Sequence, residues 1–234
     1  MLEVHNLEVS YGDVQVLWGV DFEVRQNEIV ALVGSNGAGK TTLFKTISGL
    51  LKPSKGSIHF AGSSLAGIPS AEVVRHGIVY VPEGRRLFAG MTVEENLIMG
   101  AYLRNDKQAV KRDLDRVYEY FPRLAERRRQ LAGKMSGGEQ QMCAIARGLM
   151  AQPKLMMIDE LSLGLAPIIV EQLIEILRQI HQEGVMLAIV EQDVQTALQI
   201  ADRAYVMEQG RIAKEDRASV LLEDDSIKTA YLGI

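Results

Sequence analysis

The sequence predicts an α/β fold in which an antiparallel β portion precedes a mainly parallel sheet, with a helical lobe inserted between the strands of that sheet. Three observations predict it. The apolar runs Ile29–Val33, Leu155–Ile158 and Val185–Val190 show no alternation, as expected of parallel strands covered on both faces. Leu2–Ser10 and Val14–Val24 instead alternate imperfectly between apolar and polar residues, the pattern of antiparallel strands. From Met91 to about Ala151 the reading is mostly helical.

At 234 residues the chain is long enough for one α/β domain with an elaborated side lobe. Residues 1–234 are therefore read as a single domain, with 91–151 as a helical subdomain within it. A net charge of −4 gives no global basic field, so no nucleic-acid partner is expected. Cys143 is the only cysteine, which excludes an intramolecular disulfide and suits a reducing compartment. Met1–His5 lacks a basic region followed by an apolar core, so no secretory signal is expected. No uninterrupted apolar stretch approaches the roughly 20 residues of a membrane helix, so any work at a membrane would need a partner chain.

In chain order, the two N-terminal strands are joined at Tyr11-Gly12, an aromatic beside a flexible turn. Such a tyrosine either closes a hairpin or stacks on a nucleotide base, and the loop that follows favours the base. Trp18 is read as a packing residue. Ile29–Val33 then feeds into Gly34-Ser35-Asn36-Gly37-Ala38-Gly39-Lys40-Thr41-Thr42, after which Leu43, Phe44 and Ile47 fall at helical spacing. The glycines let the backbone wrap an anion, and the helix N-terminus adds its partial positive charge. Lys40 is placed to reach the β- and γ-phosphates of a nucleotide, and the Thr41 hydroxyl to ligate Mg²⁺. The Gly-x-x-x-x-Gly-Lys-Thr spacing at a strand-to-helix junction specifies a polyphosphate, although neither the base nor the use made of hydrolysis.

Further along, Ser57–Phe60 reads as a strand, Ala71–His76 as a helix stopped by Gly77, and Ile78–Val81 as a buried strand broken by Pro82. Thr92 and Glu95 form a capping box for the first helix of the lobe. Lys111–Arg129 is charge-rich with Leu114, Val117, Tyr118 and Phe121 at helical spacing, a solvated helix face. Ser136-Gly137-Gly138-Glu139-Gln140-Gln141 opens another helix, whose glycines again leave backbone donors for an anion. Leu155–Ile158 ends in Asp159 and Glu160. Strand C-termini of an α/β sheet face the ligand crevice, so Asp159 is the expected metal ligand and Glu160 the residue that orients or deprotonates an attacking water. Ile168–Gln182 is an amphipathic helix, the strand Val185–Val190 leads to Glu191-Gln192-Asp193, and a helix from Val194, a strand Ala204–Glu208 and a tail of short helices from Ala218 to Ile234 complete the chain.

The phosphate loop, the Ser-Gly-Gly-Glu-Gln-Gln segment and the Asp-Glu strand end, in that order, resemble the ABC ATPase family over essentially the whole chain. The resemblance implies a P-loop NTPase with a RecA-like core. It further implies two nucleotide domains paired head to tail, so that each ATP lies between one loop and the other subunit's signature. Tyr11 then resembles the adenine-stacking aromatic, Lys40 and Thr41 the phosphate and Mg²⁺ contacts, and Asp159 and Glu160 the metal-binding acid and catalytic base. Ser136, Gly137, Gly138 and Glu139 resemble the signature that caps the partner's γ-phosphate.

Glu83 stands where the family usually has a glutamine sensing Mg²⁺ and water, Gln192 where a switch histidine stands, and Ala166 where an aspartate follows the catalytic glutamate. Val81–Phe88, Leu161–Pro167 and Val190–Gln192 are similar to the ATPase subunits of bacterial branched-chain amino-acid importers, which share these substitutions. Leu161 departs from both patterns, which carry proline, and leaves the backbone after Glu160 less constrained; slower hydrolysis is the expectation. The resemblance implies transmembrane permease subunits meeting Met91–Gln130, a second ABC ATPase identical or homologous to this chain, and indirectly a periplasmic or extracellular substrate-binding protein. It places the chain peripherally on the cytoplasmic face of the inner (plasma) membrane. Two other readings are a soluble ABC ATPase acting on ribosomes or DNA, disfavoured by the single nucleotide domain and acidic balance, and a weakly hydrolysing regulatory switch, motivated by Glu83, Gln192, Ala166 and Leu161.

Overall fold

The structure, a computed structural model, describes residues 1–232. The chain opens with a hairpin of β1 (Leu2–Tyr11) and β2 (Val14–Val24), in which Tyr11 pairs with Val14 across the turn. β3 (Ile29–Val33) is buried at all five positions and runs through the glycine-rich loop into α1 (Lys40–Ile47). β4 (Lys55–Phe60) returns antiparallel to β1, and the short β5 (Ser63–Ser64) pairs with β4. These strands form a four-stranded antiparallel sheet in the order β2-β1-β4-β5.

α2 (Ser70–His76) ends at Gly77 and leads to β6 (Ile78–Val81). The lobe follows with α3 (Val93–Gly100), α4 (Lys107–Tyr120), α5 (Pro122–Glu126) and α6 (Gly137–Leu149). Thr92 and Glu95 close the expected capping box on α3. The last of these helices leaves the lobe and lies on the main sheet, where a Cβ at Gly148 would stand 3.1 Å from Val81 Cγ2. After α6 come β7 (Leu155–Asp159), α7 (Pro167–Gln182), β8 (Met186–Glu191), α8 (Val194–Ile200), β9 (Arg203–Glu208), β10 (Arg211–Arg217), α9 (Ala218–Glu223) and α10 (Asp225–Ile227). A π-helical turn closes the described chain; Gly233 and Ile234, the end of the expected helical tail, lie outside the described residues.

The main sheet has the order β10-β9-β3-β8-β7-β6, parallel except for β10. Strand periodicity sorts its side chains between two faces. Val30, Leu32, Leu155 and Met157 pack with α1 and the antiparallel sheet. Met156, Ile158, Leu187 and Ile189 pack with the lobe and α7, and Ala31 and Val33 with α8 and α9. No described helix is long and apolar enough to cross a membrane.

The structure departs from the sequence reading at one place on this edge. β10, Arg-Ile-Ala-Lys-Glu-Asp-Arg, is a strand where only a turn was read, because an edge strand hydrogen-bonded on one side tolerates charges that hide its alternation. Trp18 packs at the surface: it is 41% exposed and stacks under the Arg211 guanidinium at 5.7 Å.

Candidate nucleotide site

The loop's conformation follows from its glycines. At Gly34 a Cβ would fall 2.2 Å from the Met207 carbonyl oxygen, so any other residue would drive β3 from β9. Gly39 caps α1 with φ 110°, a left-handed geometry that spares the helix start a strained side chain. α1 therefore begins at Lys40 with its N–H groups open to the loop. Lys40 is 5% exposed, and its ammonium donates to the carbonyls of Gly34 at 2.6 Å and Ser35 at 3.1 Å. Burial lowers its pKa, and the nearby carboxylates of Glu160, Asp159 and Glu191 oppose that shift.

β7 lies two strands from β3, and its end delivers the acids. Asp159 is fully buried. Its Oδ1 accepts from the Thr41 hydroxyl at 3.2 Å, and its Oδ2 from the Tyr80 hydroxyl at 2.7 Å. Burial raises the Asp159 pKa, against the lowering effect of those two bonds. Glu160 is raised too, first by burial and then by the charges of Asp159 and Glu83, with Lys40 opposing. Glu160 stands at φ 56°, and its N–H donates to the Val190 carbonyl at 3.0 Å.

Lys40, Thr41 and Glu160 share one cleft of about 500 Å³ lined by Asn36–Thr42, Glu83, Glu160, Leu163, Gln192 and Val16, with Asp159 behind it on the Thr41 hydroxyl. Glu83 reaches it from the end of β6 and Gln192 from the end of β8. Gly34 and Ser35 do not line it; they meet the site through their carbonyls, which hold the Lys40 ammonium. Tyr11 stands at the rim, 45% exposed, its hydroxyl 3.5 Å from Thr42 Oγ1.

The signature segment does not line this cleft. Ser136 caps α6: its hydroxyl accepts the Glu139 N–H at 3.4 Å and donates to the Glu139 carboxylate at 2.9 Å, which Arg127 also holds at 2.9 Å. Gly137 faces the Arg85 guanidinium and Gly138 faces Ile169.

The apposed Thr41 hydroxyl and buried Asp159 carboxylate suit a hard divalent cation. Among the described residues no cluster of three His, Cys, Asp or Glu could hold a metal alone. Such an ion would take its remaining oxygens from phosphate and water, as magnesium does. Beside the apolar Val16 and Leu163 of the lining, three polar residues around the site went unassigned from sequence: Tyr80, Ser162 and Glu191. Glu191 alone left a signal, a charge closing a buried strand beside the Asp159 strand.

A glycine-rich loop between a buried parallel strand and a helix, with acids at a neighbouring strand end, defines a P-loop nucleotide-binding protein. The family profile described as ABC transporter matches residues 17–162. The chain is 50% identical to the high-affinity branched-chain amino acid transport ATP-binding protein BraG of Pseudomonas aeruginosa, with all of both chains covered. It is 36% identical to a probable branched-chain amino acid transport ATP-binding protein, LivF, of Archaeoglobus fulgidus, covering 100% of this chain and 99% of that one. Its structure superposes with a TM-score of 0.89 and 26% identity on a crystallised ATP-binding cassette of an ABC transporter in its ADP conformation, over 100% of this chain and 99% of that one. The chain belongs to the ABC transporter family, as an ATP-binding subunit.

Proposed function

We infer that this chain is the ATP-hydrolysing subunit that energises a membrane importer of branched-chain or related amino acids. The single observation that carries the motor is the cleft in which the phosphate loop, Glu83, Glu160 and Gln192 converge on the Thr41–Asp159 pair. The cargo is supported by the names and full-length identity of the two relatives.

In this reading the loop N–H groups and Lys40 bind the phosphates, and Tyr11 packs on the adenine. Thr41 and Asp159 would hold Mg²⁺, with Glu83 beside it; the ion supplies charge neutralisation at the phosphate oxygens. Glu160, its pKa raised by burial, takes the proton of the attacking water, and Gln192 orients that water. Ser136, Gly137, Gly138 and Glu139 serve the nucleotide of a paired ATPase. Permease subunits follow the closing and opening of the pair at the cytoplasmic membrane face, and a substrate-binding protein feeds them from outside.

A second reading, a slow regulatory switch, is favoured by one observation. Glu83 adds its repulsion to that between Asp159 and Glu160, where a neutral side chain would not.

Phosphate release from Mg-ATP by the purified chain, alone and with its ATPase and permease partners, tests both. Turnover abolished by Glu160→Gln and stimulated by permease is the expected result. ATP binding with no turnover in any assembly would overturn the motor and leave the switch.

A further inference from the structure

β8 ends on a carboxylate that none of these steps uses. All six residues of the strand are buried, and Glu191, the last, is 1% exposed. A carboxylate at that depth persists only where donors satisfy it. The donors come from the segment that leaves β7. The Ser162 backbone N–H donates to one Glu191 oxygen at 2.7 Å, and the Ser162 hydroxyl to the other at 2.8 Å.

Ser162 is two residues past Glu160, and between them Leu161 is buried. Glu160 itself sits at φ 56°, a left-handed conformation unfavourable for a residue with a Cβ. Such a turn persists where its surroundings hold it. Here two anchors bracket it, both on consecutive residues of β8: the Glu160 N–H to the Val190 carbonyl, and Ser162 to the Glu191 side chain. Gln192, which lines the cleft, follows directly on Glu191. One carboxylate thus ties the turn beneath Glu160 to the root of Gln192.

We propose that Glu191 is a positioning residue for ATP hydrolysis: by clasping Ser162 it holds the left-handed turn that aims the Glu160 carboxylate into the cleft. The inference rests on the reading of Glu160 as the residue that activates water. A clasp that sets geometry affects the chemical step and leaves nucleotide binding to the loop, so kcat and KM separate.

The test measures steady-state ATPase kinetics, affinity for a fluorescent ATP analogue and thermal melting for the full chain and its variants. Glu191→Ala lowers kcat about 10- to 100-fold with KM within about twofold, the scale of a misplaced catalytic group. Ser162→Ala lowers it less, about 3- to 10-fold, because the backbone N–H bond survives. The double variant is no slower than Glu191→Ala alone, since the two residues act as one unit. Glu191→Gln restores kcat to within about threefold of the parent, because its carbonyl oxygen still accepts the Ser162 N–H.

An unchanged kcat in Glu191→Ala, or additive losses in the double variant, overturns the clasp. Glu191→Gln as slow as Glu191→Ala, with nucleotide binding intact, also overturns it, by showing that the charge is what matters. If Glu191→Ala does not fold, Ser162→Ala decides, a parental kcat overturning the proposal. Glu160→Gln separates the two readings. Turnover that survives it removes the base assignment, whereas turnover abolished by it but untouched by Glu191→Ala removes the clasp alone.

Discussion

Two residues around the catalytic turn carry consequences that can be measured without a partner. Burial raises the Glu191 pKa from an ordinary 4.5 to about 7, with the Ser162 bonds opposing. The folded chain therefore binds a proton that the unfolded chain has released between those values, and stability falls as pH rises through that window. The size is on the order of 3 kcal/mol. Glu191→Gln cannot release the proton, so denaturant titrations at pH 5 and pH 8 give it a shallower loss than the parent; equal losses would refute the shift. At Leu161 the sequence reading and the structure meet. The side chain is 1% exposed, so proline there forfeits packing worth about 1–2 kcal/mol, part of it offset by a stiffer unfolded chain. Proline also fixes φ at the residue that follows Glu160 and so narrows the turn that carries it. Leu161→Pro is accordingly expected to raise kcat about 2- to 5-fold with a slightly lower melting temperature, and an unchanged ATPase rate would remove the idea that leucine slows hydrolysis.

At the scale of elements, what was legible depended on whether a segment's burial is local. β3, β7 and β8 are buried throughout and announce themselves as apolar runs. The capping box at Thr92 was readable because a cap is a four-residue property, whereas Ser136 reads only as a helix start and its box with Glu139 comes from the structure. β10 was not readable, because its pairing with β9 is a tertiary fact that its charges conceal. The site divides in the same way. Loop and acids follow from spacing within one element each, whereas Tyr80 and Glu191 acquire roles only when β6 is laid beside β7 and β8 beside the turn after it. The α6 cap also yields a prediction. The Ser136 hydroxyl is engaged with Glu139, so its first duty is to the helix end. Ser136→Ala costs about 1 kcal/mol in denaturant titration, and Ser136→Thr returns most of it. Turnover of the paired enzyme falls with the alanine, because a frayed first turn no longer presents the Gly137 and Gly138 N–H groups.

The whole molecule is stiff where the two sheets meet. The Arg203 guanidinium, at the start of β9, binds Glu28 at 2.8 and 2.9 Å and the Glu23 carbonyl of β2 at 3.0 Å, while the Tyr205 hydroxyl accepts the Glu23 N–H at 3.2 Å. That bond network ties the antiparallel sheet to β9 and the start of β3 in the main sheet, so Tyr11 and the phosphate loop keep their relation. Ser136–Glu139 stands outside the cleft; in the proposed head-to-tail pair its donors serve a phosphate in the other subunit's cleft. Complementation tests this directly. A chain with Lys40→Ala lacks a working loop, and one with Gly137→Asp puts a carboxylate where a phosphate would dock, its Cβ meeting only the flexible end of Arg85 at 3.2 Å. Each is inactive alone. In a mixed head-to-tail pair, the intact loop of the second chain meets the intact signature of the first, so one of two sites is whole. Equal mixing then restores roughly a quarter of the parental rate, from the half of pairs that are mixed. If the native pair is formed with a related ATPase, dividing the two substitutions between the partners leaves one site whole, whereas placing both on one chain disables both sites. No recovery on mixing would mean that loop and signature act within a single chain, and the head-to-tail pairing would fall with it.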